Sequence, residues 1–172
     1  MRQSWLKKLF RNSPDDTFER LLVDAKGGAA QSQFDLGLSL FNRSDFEQAA
    51  HWYLEAANQD HAGAQFALGV MFADGSGVAR DETKALLWTT KAAQQAYPMA
   101  QHALGLRCRY SSFKETPQAA IESTLEAYKW FRLASAQGHR KAEAEFECLA
   151  VSMTWEQVME GNRRVATFVA ST

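Results

Sequence analysis

The run ALGVMFADGSGVARDETKALLWTTKAAQQA, from Ala67 to Ala96, decides the fold because its two apolar stretches recur on both sides of it. The motif that begins it, AQFALG at 64–69, returns as SQFDLG at 32–37 and as AQHALG at 100–105. A degenerate fourth copy reads AEAEFE at 142–147. Self-similarity of this kind is typical of repeat architectures. The sequence therefore predicts an array of related structural units.

A second motif follows each of the first three, and it combines one tryptophan with two alanines. The spacing is i, i+3, i+7, which is a helical stripe and not the alternation of a strand. Each repeat is thus predicted to be a pair of helices, whose glycines at 37, 69 and 105 allow close approach while the tryptophans fill the remaining space. The three copies are Ala49, Trp52 and Ala56; Ala85, Trp88 and Ala92; and Ala127, Trp130 and Ala134.

The predicted starts of the second helices are Asp45, Asp81 and Ser123, each four residues before the repeated alanine. These residue types accept hydrogen bonds from the first free amides of a helix, and Gln48 and Glu126 would complete capping boxes. From each start to the end of the next motif is 24 residues, whereas the connection before each start has 8, 12 or 18. The length variation, including an insertion at 111–122, is therefore expected in a loop between the two helices of a repeat.

The ends of the chain are expected to cap the array. Residues 14–28 form an amphipathic segment that begins with Pro14, and Thr154 opens a capping box before a last helix that runs to about Val169. The expected organisation is a basic segment at 1–13 and one solenoid domain at 14–172. Its repeats are about 30–61, 62–97 and 98–139, with a degenerate fourth repeat and cap at 140–170. Capped ends favour a monomer.

Composition excludes several classes of protein. The 172 residues carry 19 basic and 20 acidic side chains, so there is no large basic footprint for nucleic acid. Two cysteines without a CxxC pair favour a reducing compartment, and we expect a cytoplasmic protein. No window has the apolar length of a membrane span or of a signal sequence.

The first 13 residues carry a charge of +4 without an acidic residue, while the whole chain carries −1. A helix formed by them would be amphipathic. One hypothesis is weak peripheral docking at the inner membrane face or on an acidic partner, through Trp5, Lys7, Lys8 and Phe10. The other is a frayed or capping helix on its own domain.

The run from Ala67 to Ala96 resembles the bacterial type of Sel-one-like repeat (SLR). This repeat is a relative of the tetratricopeptide repeat. The usual pattern is A-x-x-x-L-G-x-x-Y-x-x-G-x-G-V-x-x-D-x-x-K-A-x-x-W-x-x-K-A-A, and Phe72 stands where Tyr is usual. The runs from Leu125 to Ala142 and from Met153 to Arg164 are similar to family members as well. The resemblance implies an all-α right-handed α/α superhelix of about three helix pairs with terminal capping helices. It implies an adaptor for other proteins and no catalysis.

The resemblance also implies which residues would line a concave groove, since the first helix of each pair faces it in tetratricopeptide-like proteins. An aromatic and mostly apolar groove suits an extended or helical peptide, so the expected ligand is a partner protein or peptide. The candidate binding residues are Gln31, Phe34, Leu38, Phe41, Phe66, Val70, His102, Leu106, Arg109 and Tyr110.

Other candidate sites are interpreted as structural. The Gly75-Ser76-Gly77 loop lacks the Lys-Ser/Thr pair of a phosphate-binding loop and is predicted to be a turn. His61 and His139 share one repeat position, where capping or packing explains them. Glu143, Glu145 and Glu147 are expected on a solvated face, and Cys108 and Cys148 as buried thiols. We therefore expect no enzyme activity, no metal site and no cofactor.

Overall fold

The computed structural model describes residues 14–112 and 116–171, with side chains at 18–111 and 116–171. Within these ranges every regular element is an α-helix, which confirms the predicted all-α class. The helices are α1 (Pro14–Lys26), α2 (Ala30–Asn42), α3 (Phe46–Asn58), α4 (Ala62–Asp74), α5 (Glu82–Gln94), α6 (Pro98–Ser112), α7 (Pro117–Ala136), α8 (Arg140–Ser152) and α9 (Trp155–Ser171). The prediction for residues 1–13 lies outside the described residues.

The helices form two compact units, one ending at Ala85 and the other beginning at Leu86. In the first unit, α2 packs against α1 and α3, and α3 packs against α4. In the second unit, α7 is the central helix and contacts α6, α8 and α9. Its core contains Tyr128 and Phe131, with Leu149 contributed by α8.

Close helix approach is confirmed at Gly37 and Gly105, but the residue expected to fill the space is wrong. A Cβ on Gly37 would lie 2.7 Å from Cδ1 of Tyr53, and one on Gly105 would lie 2.5 Å from Cδ1 of Phe131. These aromatic rings stand one position after Trp52 and Trp130. Because successive helical residues differ by about 100° in direction, only one of each adjacent pair can face the glycine.

Two predicted second-helix starts and the final capping box are confirmed. Asp45 Oδ1 accepts from the Gln48 amide at 3.3 Å, and Asp81 Oδ1 accepts from the Lys84 amide at 3.0 Å. Thr154 Oγ1 accepts from the Gln157 amide at 3.3 Å, while the Thr154 amide donates to Gln157 Oε1 at 2.9 Å. This reciprocal pair satisfies free amides at the start of α9.

The predicted helix start at Ser123 is wrong. Helix α7 begins at Pro117 with Thr116 as its N-cap, so Ser123 lies within the helix and Glu126 completes no capping box. Proline at the first helical position and the following Ala119 and Ala120 favour the earlier start. Much of the inserted length at 111–122 is therefore absorbed by helix and not by an open loop. Residues 113–115 of this insertion lie outside the described part.

Four equivalent turns follow the second helices of the array and adopt the left-handed conformation. The φ angles are +91° at Gly28, +59° at Asp60, +58° at Ala96 and +79° at Gly138. After two of these turns a histidine caps the next helix, as expected from its repeat position. Nδ1 of His61 accepts from the Ala64 amide at 3.1 Å, and Nδ1 of His139 accepts from the Ala142 amide at 3.2 Å.

A buried glutamine column joins successive helices, and its role was not predicted. The side-chain amide of Gln33 donates to the Ala25 carbonyl at 3.3 Å, and that of Gln101 donates to the Ala93 carbonyl at 3.2 Å. Gln65 makes the same bond to the Ala57 carbonyl at 3.2 Å. Each glutamine reaches back eight residues to a carbonyl in the last turn of a helix, where the carbonyl also accepts from the backbone amide three residues later. The motif glutamine is therefore a cap for the preceding helix.

Candidate protein-binding surfaces

The predicted binding residues of α2 share its solvent-facing side. Gln31, Phe34, Leu38 and Phe41 lie opposite the buried residues of the helix, which are Gln33, Leu36, Gly37 and Leu40. Leu38 is 42% exposed. The ring of Phe41 is less available, since it packs edge-on against Phe46 with ring centroids 5.1 Å apart. The repeat period thus leaves one side of this first helix for a ligand.

Two of these residues form a cluster with the histidine that caps α4. The rings of Phe34 and His61 stack with centroids 4.7 Å apart, and Phe34 also lies 5.7 Å from the ring of Tyr53. The Nε2 atom of His61 is 3.1 Å from Oε1 of Gln31. Because Nδ1 accepts the Ala64 amide, the neutral ring carries its proton on Nε2 and donates to Gln31. We call Gln31, Phe34 and His61 the Phe34 cluster.

Helix α4 supplies the other predicted residues of the first unit. Val70 is 39% exposed and occupies the same repeat position as Leu38. Phe66 is half-buried. Together with Leu38, Val70 gives the first unit exposed aliphatic surface on the first helices of two successive repeats.

In the second unit, His102 occupies the position equivalent to Phe34. Its ring lies 4.7 Å from the ring of His139 and 5.8 Å from that of Phe131. Burial lowers the pKa of His102, and the charges of His139 and Lys141 lower it further, whereas Glu145 acts in the opposite direction. We call His102 and His139 the His102 cluster.

The remaining predicted residues of α6 have different surroundings. Tyr110 is 68% exposed, while Leu106 packs against the core of the second unit. Arg109 forms an ion pair with Glu145 on α8, and each side chain is about one third exposed. The expectation that Glu145 belongs to a solvated face is therefore wrong, because this helix turns it toward α6. Glu143 and Glu147 are exposed as expected.

The two cysteines differ from each other. Cys108 is half-buried and packs against the core, whereas Cys148 is exposed. The prediction of two buried thiols is thus wrong for Cys148, which lies on a side of α8 that no described helix covers. Cys148 is a free thiol.

The two units differ in charge. Residues 1–85 contain 9 basic and 12 acidic side chains, a net charge of −3, and residues 14–85 among them carry −7. Residues 86–172 contain 10 basic and 8 acidic side chains, a net charge of +2. A partner with basic side chains is therefore attracted to the first unit more than to the second.

An ion-pair network joins α7 to α9 in the second unit. Arg164 contacts Glu122 at 2.7 Å, Glu126 at 3.1 Å and Glu160 at 3.0 Å. The hydrogen bonds from Arg163 and Arg164 lower the pKa of Glu160 to about 2. A cleft of about 440 Å³ lies over this network. The charges of the ion-pair network are paired with one another, so the chief role of the network is to attach α9 to α7.

The described residues hold neither a cluster of metal ligands nor a membrane-spanning helix. No group of three or more His, Cys, Asp or Glu side chains among them could hold a metal ion. None of the helices in the described ranges has the length and apolar character of a membrane span.

The fold and these surfaces define an α/α repeat protein. The Sel1 repeat family model matches residues 30–61, 62–97 and 98–139. This chain therefore belongs to the Sel1 repeat family, which confirms the resemblance drawn from the motifs.

Two relatives with regulatory names are similar to this chain. It is 29% identical over 147 residues to chitin synthase regulatory factor 3 of Schizosaccharomyces pombe, covering 81% of this chain and 15% of that protein. It is 36% identical over 77 residues to an exopolysaccharide production negative regulator of Rhizobium leguminosarum bv. viciae, covering 42% of this chain and 29% of the relative. The chain thus spans less than a third of either relative.

Solved structures support the same fold. The antigen c5321 of uropathogenic Escherichia coli, which displays an SLR fold, superposes with a TM-score of 0.78 at 24% identity, covering 98% of this chain and 37% of c5321. A Sel1 repeat protein from Oxalobacter formigenes gives a TM-score of 0.60 at 29% identity, covering 76% of this chain and 97% of that structure. The first likeness concerns the fold alone.

Proposed function

We propose that this chain is a non-catalytic adaptor that binds a partner protein or peptide through the solvent-facing sides of its first helices. The observation that carries the proposal is the exposed aliphatic pair Leu38 and Val70, which recurs at one repeat position beside the Phe34 cluster. Exposed apolar residues that recur in register suit the side chains of a partner. The regulatory names of the two relatives support the same class of function.

The residues of the first unit favour a partner with apolar anchors and basic flanks. Leu38 and Val70 offer aliphatic contact, and Phe34 adds a ring held in place by His61. The net charge of −7 over residues 14–85 would speed the approach of basic side chains and orient them. In the second unit, Tyr110 offers an exposed ring, and the Arg109–Glu145 pair offers polar contacts beside it.

The test compares two sides of the first unit at matched exposure. Leu38→Glu combined with Val70→Glu places charge on the first-helix side, while Leu54→Glu places it on α3, where Leu54 is 38% exposed. Each purified variant, checked for unchanged helicity, would be used to capture proteins from a native lysate for quantitative mass spectrometry. We expect a set of proteins lost with the double variant and retained with Leu54→Glu. Equal capture by the parent chain, the double variant and Leu54→Glu would contradict the proposal.

A second candidate function is peripheral docking of a cytoplasmic protein at the inner membrane face. It depends on the charge of +4 in residues 1–13 and on the apolar Trp5 and Phe10 among them. Basic amphipathic segments bind anionic lipid surfaces, although a single short segment binds weakly. Flotation with phosphatidylserine vesicles should be greater for the full chain than for a chain that begins at Pro14. Equal flotation of the two would contradict this role.

A further inference from the structure

The last helix, α9, has two apolar sides, and one of them packs within the second unit. Gly161 is buried against Tyr128, where an added Cβ would lie 2.5 Å from Cδ1 of the ring. The ring of Phe168 meets that of Trp130 at 5.3 Å. With the Arg164 network, these contacts attach α9 to α7.

The other side of α9 is a stripe of exposed apolar residues. Trp155 is 73% exposed, Met159 is 51% exposed and Val169 is 60% exposed. Ala166 is exposed between them. Spacings of 4, 7 and 3 residues place all four on one side of a helix. We call Trp155, Met159, Ala166 and Val169 the outer stripe.

The outer stripe is both apolar and strongly exposed. Here a tryptophan is among the most exposed apolar side chains of the described residues, and Val151, at the end of α8, is 89% exposed. Exposed apolar surface of this kind marks an interaction site.

The charges of α9 indicate what covers the stripe. On one flank of the stripe, Glu156 and Glu160 precede Arg163, whose side chain is 75% exposed and pairs with Glu160 of the same copy. Arg164 is held toward α7 by Glu122 and Glu126 and takes no part. A second α9 that packs in the antiparallel direction would bring Arg163 of one copy close to Glu160 of the other. A parallel copy would place like charges together, which is unfavourable.

The side-chain sizes along the stripe fit the same arrangement. In an antiparallel pair centred near Asn162, Trp155 of one copy lies over Val169 of the other, and Met159 lies over Ala166. Each large side chain thus meets a smaller one, which is how facing helices interdigitate. A contact of this kind is self-complementary, as a two-fold dimer requires.

We propose that a second copy of this chain docks on the outer stripe in the antiparallel direction and forms a two-fold dimer through α9. The proposal revises the monomer expected from the sequence, which took the last helix as a cap. It uses none of the residues proposed to bind a partner.

The first test is sedimentation equilibrium of the full chain in reducing buffer, which prevents disulfides through the exposed Cys148. A contact made by one helix per copy is smaller than a standard interface, so we expect a dissociation constant of about 1–100 μM. Trp155→Lys should weaken association by about thirtyfold or more, since buried tryptophans dominate such interfaces. The matched control is Val23→Lys, because Val23 on α1 is 67% exposed. It should leave association unchanged.

The second test fixes the direction of the pair by disulfide formation. In a Cys148→Ser background, Asn162→Cys should cross-link two copies, because residue 162 lies near the two-fold axis. Thr167→Cys, on the charged flank of α9, should not. Asn162 accepts a hydrogen bond from the Tyr128 hydroxyl at 3.1 Å, so helicity and melting of the variant must be compared with the parent. A chain that stays monomeric to about 500 μM, a dimer indifferent to Trp155→Lys, or equal cross-linking at both positions would overturn the proposal.

Discussion

The first and third repeats hold three rings in the same arrangement but with different chemistry. In the first repeat Phe34 lies 4.7 Å from His61 and 5.7 Å from Tyr53. In the third, His102 lies 4.7 Å from His139 and 5.8 Å from Phe131. The ring spacings are therefore shared by the two repeats, whereas the identity of the central ring differs between them. Only the third repeat has a titratable ring at the central position.

Beneath these rings the buried contacts are the same in both repeats. Gln33 and Gln101 donate to equivalent helix-end carbonyls, and each accepts from a second glutamine, Gln59 at 2.7 Å and Gln137 at 2.9 Å. Buried polar atoms require partners, so these positions are constrained in every copy. The solvent-facing positions have no such requirement, and specificity for a partner can vary there.

The largest difference between units is expected at two glycines with positive φ. Gly77→Ala should cost about 3 kcal/mol, because φ is +70° and the new Cβ would overlap the backbone carbonyl oxygen of Phe46. Gly138→Ala has φ +79° and open space around it, so it should cost only about 1 kcal/mol. Urea unfolding followed by circular dichroism measures both. Equal losses would show that the loop against α3 does not constrain Gly77.

Replacing the buried motif glutamine should reduce stability by the same amount in the two units. Gln33→Leu and Gln101→Leu each remove two hydrogen bonds, one to a helix-end carbonyl and one from a second glutamine, at an expected cost of about 1–3 kcal/mol. The exposed Gln94→Leu is the control and should change stability by less than about 0.5 kcal/mol. Chemical denaturation of all three variants tests the claim. A large loss in only one of the two units would break the equivalence of the buried contacts.

A pH effect should distinguish the third repeat from the first. Because the folded state lowers the pKa of His102, the unfolded chain binds that proton more readily. Stability from this group is therefore full above its ordinary pKa of 6.5 and is lost as the pH falls below it. His102→Phe should reduce the dependence of stability on pH between 5 and 8. A variant whose melting temperature keeps the parent dependence on pH would contradict this assignment.

The smallest expected effect is a gain. Ala96 has φ +58° in a turn where the equivalent residues at 28 and 138 are glycine. Ala96→Gly removes the strain of a Cβ in this conformation but loosens the unfolded chain, for a net gain of about 0.5 kcal/mol. Differential scanning calorimetry would detect it as a small rise in melting temperature. A fall would mean that the Ala96 methyl group has a packing role.

The sequence predicted the elements whose signals are local and periodic. The motif columns identified the helices, and residue type identified the caps at Asp45, Asp81 and Thr154. The helix start predicted at Ser123 is wrong because constant spacing is a weaker signal than Thr116-Pro117, which begins the helix earlier. The sequence could not show that Tyr53, rather than Trp52, meets Gly37, because that depends on how two helices are rotated against each other.

The repeat positions of the candidate surface residues could be predicted from the sequence, but the contacts that these residues make could not. The period placed Leu38 and Val70 at one repeat position, and both are exposed. The pairing of Arg109 with Glu145 is a contact between residues 36 positions apart and leaves no local pattern. The second apolar side of α9 follows from the helical spacing of Trp155, Met159 and Val169, which the interpretation of this helix as a cap does not include.

Site-specific photo-crosslinking would show whether partners contact the first-helix side of the repeats. A benzophenone amino acid would replace Leu38 or Tyr110 on the first-helix side, and Leu54 or Leu87 on the second helices, all four being exposed. We expect cross-linked partners from positions 38 and 110 and none from positions 54 and 87. Cross-links from positions 54 and 87 alone would contradict it and place the binding surface on the second helices.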